Sequence, residues 1–169
     1  MVMALLEVTH YLREKKLPFL LFKRDNSKAY DRCWQKGLMA LLSEKGIKGK
    51  LWKAVASLYK GSKSFVKIQG EATELFQLLH GCRQGSVTAP ILFVTSIDEL
   101  IKKLKEEGAG IVINGEWFPS FFFVDDLILL ASSAEELLKL TKVVDKYCLM
   151  WKMVINKDKD ELSASHCSE

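Results

Sequence analysis

Two adjacent aspartates, Asp125 and Asp126, lie in the middle of an otherwise apolar stretch, residues 121–130. An unpaired buried carboxylate is strongly destabilising, so packing alone does not explain two of them here. A tight hairpin turn that exposes both side chains at a strand tip is the alternative. Turns favour Asn-Gly or Asp-Gly, however, and an Asp-Asp pair between Val124 and Leu127 is poor turn chemistry. Because Mg²⁺ is usually bound by one or two carboxylates together with substrate phosphates, we predict that a divalent cation neutralises this pair.

A third aspartate, Asp25, stands three residues beyond another short apolar run, residues 19–22, which is typical of a buried strand. If this strand lies beside the Asp125-Asp126 segment, three carboxylates meet at one edge of a sheet. Two-metal phosphoryl transfer needs such a cluster, because one ion activates the attacking hydroxyl while the other holds the leaving phosphates. The protein mainly positions and neutralises the reactants in a reaction of this kind.

Helices and short strands around these acids must provide the scaffold that positions them. Apolar periodicity, proline and glycine positions and a capping box at Ser133 and Glu136 predict helices at residues 2–16, 34–42, 50–59, 90–107 and 134–151. Apolar runs predict strands at residues 19–22, 64–69, 74–79, 121–124, 127–131 and 153–155, and a hairpin at 111–118 that turns at Asn114-Gly115. Since helices and strands do not alternate as βαβ units, we predict an α+β fold with an antiparallel sheet.

The composition is that of one globular domain. Of the 169 residues, 49% are hydrophobic and 27% charged, which argues against a disordered chain, and the length is too short for two ordinary domains. No apolar run reaches the ~18 residues of a membrane helix, and the apolar start lacks the basic segment and cleavage site of a secretion signal. The four cysteines show no CxxC spacing, which favours free thiols in a reducing compartment. We therefore expect an intracellular protein with no membrane partner.

Positive charge is concentrated between Lys45 and Lys67, where there are seven lysines and no acid. Such a run suits contact with a phosphate backbone, and the net charge of +4 points weakly in the same direction. A solvated helix face followed by a charged strand edge explains the same pattern. Under the first interpretation, Lys60, Lys63 and Lys67 are the predicted nucleic-acid contacts.

Four segments, taken together and in this order, resemble motifs A, B, C and D of reverse transcriptases: residues 25–31, 81–93, 123–126 and 151–159. Each motif alone is a weak signal, but the order and the separations match the family over most of the chain. Within this family, the four segments most resemble those of the non-LTR (LINE-type) retrotransposon enzymes, with group II intron reverse transcriptases as relatives. The predicted hairpins at 64–79 and 113–118 are also similar to that group.

The resemblance implies a polymerase palm whose antiparallel sheet is backed by helices, with part of the fingers and no thumb. Residues 1–169 would then be a single partial reverse transcriptase domain, and we expect the remaining fingers, thumb and endonuclease segments to lie outside this chain. The implied activity is RNA-directed DNA polymerisation with two Mg²⁺ or Mn²⁺ ions. A dNTP is joined to the 3′-hydroxyl of a DNA primer on an RNA template, and we expect this to take place in the nucleus, where the target DNA is.

The family also implies roles for the acidic residues and for one lysine. Asp25 and Asp125 would be the principal metal ligands, with Asp126 beside them. Lys159 would lie near the leaving pyrophosphate and donate a proton to it. The alternative for Lys159 is a solvated lysine in a charged tail, residues 157–161.

Substrate contacts are implied at five further positions. Tyr30 would lie under the sugar of the incoming nucleotide and exclude a 2′-hydroxyl by its bulk; the alternative is a core aromatic at a helix start. Gln84 and Gly85 would approach the sugar and the template–primer backbone, where glycine permits close contact. Arg83 would pair with a phosphate, or else be an ordinary surface arginine, and Val124 would touch the base pair at the primer end.

Several departures from the family pattern favour an inactive descendant. Lys23, Arg24 and Asn26 surround Asp25, where the family usually has apolar residues. If Asp25 faces the active site, Arg24 and Asn26 point to the opposite, buried face of the strand, where a charge is costly unless it is paired. This suggests sequence decay or a locally altered strand. Val87 replaces a common proline, and Asp160 stands where serine or threonine is usual.

The chain begins just before motif A and ends just after motif D, which also favours an inactive descendant. The main alternative to a polymerase is therefore a catalytically inactive palm relic that at most binds nucleic acid. An unrelated metal-dependent phosphotransferase is a third interpretation, but the sequence has no GxxxxGK(S/T) phosphate loop.

Overall fold

The computed structural model describes residues 2–25, 29–82, 85–123 and 126–165, apart from the side chains of residues 2, 29 and 123. The helices are α1 (Val2–Glu14), α2 (Ala29–Arg32), α3 (Gln35–Glu44), α4 (Gly49–Tyr59), α5 (Thr88–Glu106) and α6 (Ala134–Trp151). The strands are β1 (Phe19–Asp25), β2 (Lys63–Ser64), β3 (Lys67–Ile68), β4 (Glu71–Ala72), β5 (Phe76–Gln77), β6 (Ile111–Ile113), β7 (Glu116–Phe118), β8 (Ser120–Phe123), β9 (Asp126–Ala131) and β10 (Glu161–Ser165), the last preceded by a 3₁₀ turn at Lys157–Lys159.

Strands β10, β1, β9 and β8 lie side by side in that order and form an antiparallel sheet. Strand β1 is central and pairs on one side with β9 and on the other with β10. The other paired strands described are short antiparallel ladders: β2 with β5, β3 with β4, and β6 with β7. The mixture of helices and an antiparallel sheet confirms the predicted α+β class.

The two faces of the sheet are buried against different elements. On one face, Phe19 of β1 and Ile128 and Leu130 of β9 form a cluster with Leu12 of α1 and Ile111 of β6. The opposite face packs against α6, which buries a stripe of apolar side chains toward β9 and β1. A leucine that is fully removed from water stabilises a fold by roughly 1.5–3 kcal/mol, so these two layers hold the strand ends in place.

The chain divides into two compact units, residues 1–29 with 97–169 and residues 30–96. The sheet and α6 belong to the first unit. The second contains α2, α3, α4, the short ladders β2–β5 and β3–β4, and the first part of α5. Its buried residues include Leu38, Leu41, Leu42, Leu92 and Phe93. No helix among the described residues combines the length and the apolar character needed to cross a bilayer.

Local sequence signals located most elements correctly. The turn at Asn114-Gly115 has positive φ at both residues, as a two-residue hairpin turn requires. At the start of α6, the Ser133 hydroxyl accepts a hydrogen bond from the Glu136 backbone N–H at 3.3 Å, which confirms the predicted cap. The Glu136 carboxylate accepts a hydrogen bond from the Ser132 N–H rather than from Ser133, so the predicted box is displaced by one residue.

One predicted strand assignment was wrong. Of residues 153–155, only Ile155 takes part in an isolated bridge, and the last strand is β10, at Glu161–Ser165, because its backbone pairs with the open edge of β1. The predicted hairpin over residues 64–79 is present as two short antiparallel ladders, which hydrogen bonds between Val66 and Thr73 connect. The strands were predicted from side-chain patterns, which do not identify the backbone partner.

Phe123 of β8 and Asp126 of β9 are direct partners in the antiparallel ladder. Asp125 lies outside the described residues, so the alternatives of a tight turn and a metal-binding pair at Asp125-Asp126 stay predictions. Asp126 is the first residue of β9 and remains half-buried.

We expect Lys152→Gly to stabilise the fold. Helix α6 ends at Lys152, whose φ of 58° and ψ of 26° are left-handed, and the Met153 N–H closes the helix on the Cys148 carbonyl at 2.9 Å. A side chain in this conformation costs about 1 kcal/mol, which glycine avoids. Urea unfolding should show a higher free energy of unfolding at an unchanged m value. Lys142→Gly, in the exposed interior of α6, is the matched control and should lower the free energy by a similar amount.

Candidate active site

Asp25 and Asp126 lie side by side where the two inner strands of the sheet, β1 and β9, meet at one end. They are direct partners in the antiparallel ladder between β1 and β9, so their side chains emerge on the same face. The Asp25 side chain is only 15% exposed, and Asp126 is half-buried. The prediction that the two acid-bearing strands are neighbours is confirmed, and the apolar residues behind the two acids anchor them in the core.

Five of the residues singled out from the sequence lie outside the described residues: Asn26, Arg83, Gln84, Val124 and Asp125. The third predicted metal ligand is among them. Within the ranges that the structure describes, histidine, cysteine, aspartate and glutamate do not gather in groups of three that could hold a metal ion. The roles assigned to these five residues stay predictions.

Lys159 contacts the candidate metal ligand directly. Its Nζ lies 3.2 Å from Oδ2 of Asp25, while its side chain is 65% exposed. The 3₁₀ turn that carries Lys159 is attached to the end of β1, because the Asn156 N–H donates a hydrogen bond of 2.9 Å to the Asp25 carbonyl. Residues 157–161 form a 3₁₀ turn that leads into β10, and the exposure of Lys159 agrees both with a role at the site and with a solvated lysine.

Arg24 is buried, as the alternation along β1 predicted, but it is paired. Its side chain is 5% exposed, its Nη1 donates a 2.7 Å hydrogen bond to Oδ1 of Asp145, and its Nε lies 3.5 Å from Oδ2 of Asp160. The guanidinium also lies over the ring of Phe22, 5.4 Å from its centroid. Because β1 is regular through Asp25, the departure at Arg24 does not distort the strand.

Sequence reasoning missed the Arg24–Asp145–Asp160 ion cluster. Asp160 was noted only as a departure from the family, and Asp145 was not considered at all. The one available signal was the arginine itself, since a buried guanidinium requires an acidic partner. Burial raises the pKa of the neighbouring Cys148 thiol to about 11, although Arg24 opposes this shift, so the thiol stays neutral at pH 7.

In the second unit, Tyr30 lies beside the start of the predicted substrate loop. The Cys82 N–H donates a 2.7 Å hydrogen bond to the Tyr30 carbonyl, and the Tyr30 ring stacks on Phe93 at 4.5 Å. Gly81 has a φ of 91°, and a Cβ there would come within 2.8 Å of the Asp31 carbonyl oxygen. Glycine is therefore required for this close approach. Gly85 is exposed and has a φ of 78°. The predicted substrate roles of Tyr30 and Gly85 are not tested by these contacts.

The seven lysines between Lys45 and Lys67 are all exposed. They lie within the second unit, from the end of α3 to β3, and include the predicted contacts Lys60, Lys63 and Lys67. Exposure agrees both with a phosphate-binding surface and with an ordinary solvated face.

The sequence profile of the family described as "Reverse transcriptase (RNA-dependent DNA polymerase)" matches residues 2–168. The chain belongs to the reverse transcriptase family. This membership excludes an unrelated phosphotransferase. Reverse transcriptases generally use a divalent metal ion, which agrees with the acidic character of the site.

Two curated relatives indicate which kind of reverse transcriptase this chain resembles. Both are named "Retrovirus-related Pol polyprotein from type-1 retrotransposable element R2". The protein from Nasonia vitripennis is 26% identical over 113 residues, and that from Popillia japonica is 25% identical over 125 residues. The matches cover 67% and 72% of this chain but 11% and 21% of the relatives. The prediction of a non-LTR retrotransposon reverse transcriptase domain is confirmed.

Solved structures confirm the predicted palm-like fold. An apo telomerase from Candida tropicalis superimposes with a TM-score of 0.70 at 20% identity, covering 97% of this chain and 34% of the telomerase. A telomerase from Candida albicans in complex with a fragment of telomeric RNA gives a TM-score of 0.67 at 16% identity, covering 95% and 30%. The reverse transcriptase domain therefore has the α+β fold expected of a polymerase palm.

Proposed function

We propose that this chain is the catalytic palm of an RNA-directed DNA polymerase, which joins a dNTP to a primer 3′-hydroxyl on an RNA template. The observation that carries the proposal is the pairing of Asp25 with Asp126 at one sheet edge, with the Lys159 ammonium 3.2 Å from Asp25. Two acids and a mobile cation at one point are suited to phosphoryl transfer, because that reaction needs charge neutralisation more than covalent chemistry. Family membership supports the same reaction.

The residues at this edge fit a divalent metal ion. Asp25 and Asp126 supply hard oxygen ligands from adjacent strands, and the contact of Asp25 with an ammonium indicates that its carboxylate attracts a cation. Asp25, Asp125 and Asp126 would hold two Mg²⁺ or Mn²⁺ ions. Bound ions of this kind activate the attacking hydroxyl and neutralise the leaving phosphates.

Other residues of the chain would hold and select the nucleotide. Lys159 would transfer its contact from Asp25 to the leaving pyrophosphate and supply a proton there. Tyr30 would exclude a 2′-hydroxyl, and stacking on Phe93 would hold its ring in a fixed position. Gly85 would allow the backbone to approach the sugar, with Gln84 and Arg83 contacting sugar and phosphate. Val124 would contact the terminal base pair of the primer.

The exposed lysines would contact the template–primer backbone. Lys60, Lys63 and Lys67 carry no acidic neighbour between residues 45 and 67, so their field attracts phosphates. RNA template and DNA primer are the proposed partners, and the nucleus is the proposed location. A palm that only binds nucleic acid is the second candidate, favoured by this same lysine surface. It would bind with salt-sensitive affinity that does not depend on Mg²⁺.

Primer extension on an RNA template tests the proposal. We expect residues 1–169 alone to add a few nucleotides at most, with Mg²⁺ or Mn²⁺, because positioning supplies most of the rate and this chain spans a small part of its relatives. Asp125→Asn should remove this addition, while thermal melts show that both proteins are folded. A folded chain that adds no nucleotide with either metal would favour the binding-only palm. Processive synthesis would contradict the expected weakness of the isolated chain.

A further inference from the structure

The end of β1 is contacted from both faces by two consecutive residues. Lys159 reaches Asp25 on one face, and Asp160 reaches Arg24 on the other. Successive residues of a strand point to opposite faces, so Arg24 and Asp25 present these two contacts in opposite directions. The intervening backbone is joined to β1 by the hydrogen bond from Asn156 to the Asp25 carbonyl.

The Arg24 side of this arrangement is the more rigid one. The guanidinium is buried, hydrogen-bonded to Asp145 of α6 at 2.7 Å and stacked over Phe22. Among the described residues, Arg24 Nε and Asp160 Oδ1 are buried without hydrogen-bond partners. Asp160 is therefore held mainly by the charge of a fixed guanidinium. The Lys159 side chain, by contrast, is largely exposed and has freedom to move.

We propose that Arg24 is a positioning residue that holds Lys159 at Asp25 by anchoring Asp160. Arg24 and Asp160 both depart from the family pattern, but their charges compensate each other, and the pair positions Lys159 at the site. The inference rests on the proposed function in assigning Asp25 to the metal centre. In the metal-free protein, the positioned ammonium competes with a divalent cation for the Asp25 carboxylate. Releasing Asp160 loosens the turn and weakens this competitor.

Mn²⁺ titration followed by electron paramagnetic resonance provides the first measurement on the full chain. Lys159→Met should raise Mn²⁺ affinity about threefold, the effect of removing one partly exposed ion pair. Arg24→Met and Asp160→Asn should each do the same, although their charge changes have opposite signs. Neither should add to the effect of Lys159→Met in a double variant, because both act through Lys159. Lys157→Met, in the same turn and exposed, is the control for charge removal and should leave the affinity nearly unchanged.

Amide hydrogen exchange provides a second measurement that needs no metal. Arg24→Met and Asp160→Asn should speed exchange in residues 156–160 about tenfold, and Asp160→Asn should leave the protection of the middle of α6 unchanged. Arg24→Lys, which keeps the charge, should restore much of the protection. Asp160→Asn is the milder change and keeps the test valid if Arg24→Met does not fold.

The two proposals fail in different ways. If Asp25→Asn leaves Mn²⁺ affinity unchanged, the metal centre is overturned, and the exchange rates still decide whether Arg24 positions the turn. If Lys159→Met tightens Mn²⁺ binding but Asp160→Asn changes neither affinity nor exchange, the positioning role is overturned while the metal centre stands. Effects of Arg24→Met and Lys159→Met that simply add would show that Arg24 acts independently of Lys159.

Discussion

Asp25→Asn is expected to weaken Mn²⁺ binding by more than about tenfold and to reduce nucleotide addition by about 100- to 1000-fold. The substitution preserves shape but removes the charge that a divalent cation needs. The Asp25 side chain is 15% exposed and paired with a single ammonium, so there is little solvent to compensate for the lost charge. Titration with Mn²⁺ and single-nucleotide addition with an RNA template measure the two effects separately.

Asp158→Asn is the matched control for this experiment. Asp158 lies in the same 3₁₀ turn as Lys159 and is exposed, so its substitution removes an equal charge without touching the Asp25–Asp126 edge. Binding and activity should both stay within about twofold of the parent chain, as for an exposed charge. An Asp25→Asn protein that is folded and binds Mn²⁺ as tightly as the parent would exclude Asp25 as a metal ligand.

Arg24→Leu is expected to lower the free energy of unfolding by about 2–4 kcal/mol. The loss arises because Asp160, with a side chain 16% exposed, is left charged and without its cation. Asp145 contributes less, since it is 54% exposed and water can solvate it. Adding Asp160→Ser to Arg24→Leu should recover most of the stability, because a small neutral residue leaves no unpaired charge. Urea unfolding of the parent, the single and the double variants measures these differences.

Lys23→Leu provides the comparison for a neighbouring cation on the same strand. Lys23 is half-buried and borders Arg24, so the change in β1 is similar in size and hydrophobicity. We expect a change of less than about 1 kcal/mol. A double variant as unstable as Arg24→Leu alone would mean that the loss comes from packing around the guanidinium rather than from the unpaired charge of Asp160.

Elements governed by neighbouring residues could be predicted from the sequence. Asn114-Gly115 specifies its turn by the conformations it tolerates, and Ser133 specifies the start of α6 by its hydroxyl. Strand β10 could not be found in this way, because Glu161–Ser165 becomes a strand by pairing with β1, more than a hundred residues earlier in the chain. The Arg24–Asp145 pair spans 121 residues and was hidden for the same reason.

The same distinction between local and long-range signals applies to the residues of the candidate site. Acids inside an apolar run, or just beyond one, are conspicuous, because an unexplained carboxylate is improbable in a buried segment, and this identified Asp126 and Asp25. The contact of Lys159 with Asp25 depends on how the chain turns after α6, which local patterns do not specify. Tyr30 and Gly85 could be singled out by family resemblance, whereas the hydrogen bond from Cys82 to Tyr30 required the three-dimensional arrangement.

Lys159 lies in a turn between two anchored segments, so the rate at which it leaves Asp25 depends on the motion of its side chain alone. On one side, α6 ends in a closed cap at Lys152; on the other, β10 is hydrogen-bonded along β1. The backbone between them has no need to open for the ammonium to move. Lys159 can exchange partners by rotation about its own side-chain bonds, which takes picoseconds to nanoseconds for an exposed residue, whereas opening a segment takes microseconds or longer. Departure of Lys159 from Asp25 would therefore be too fast to limit the turnover of the site.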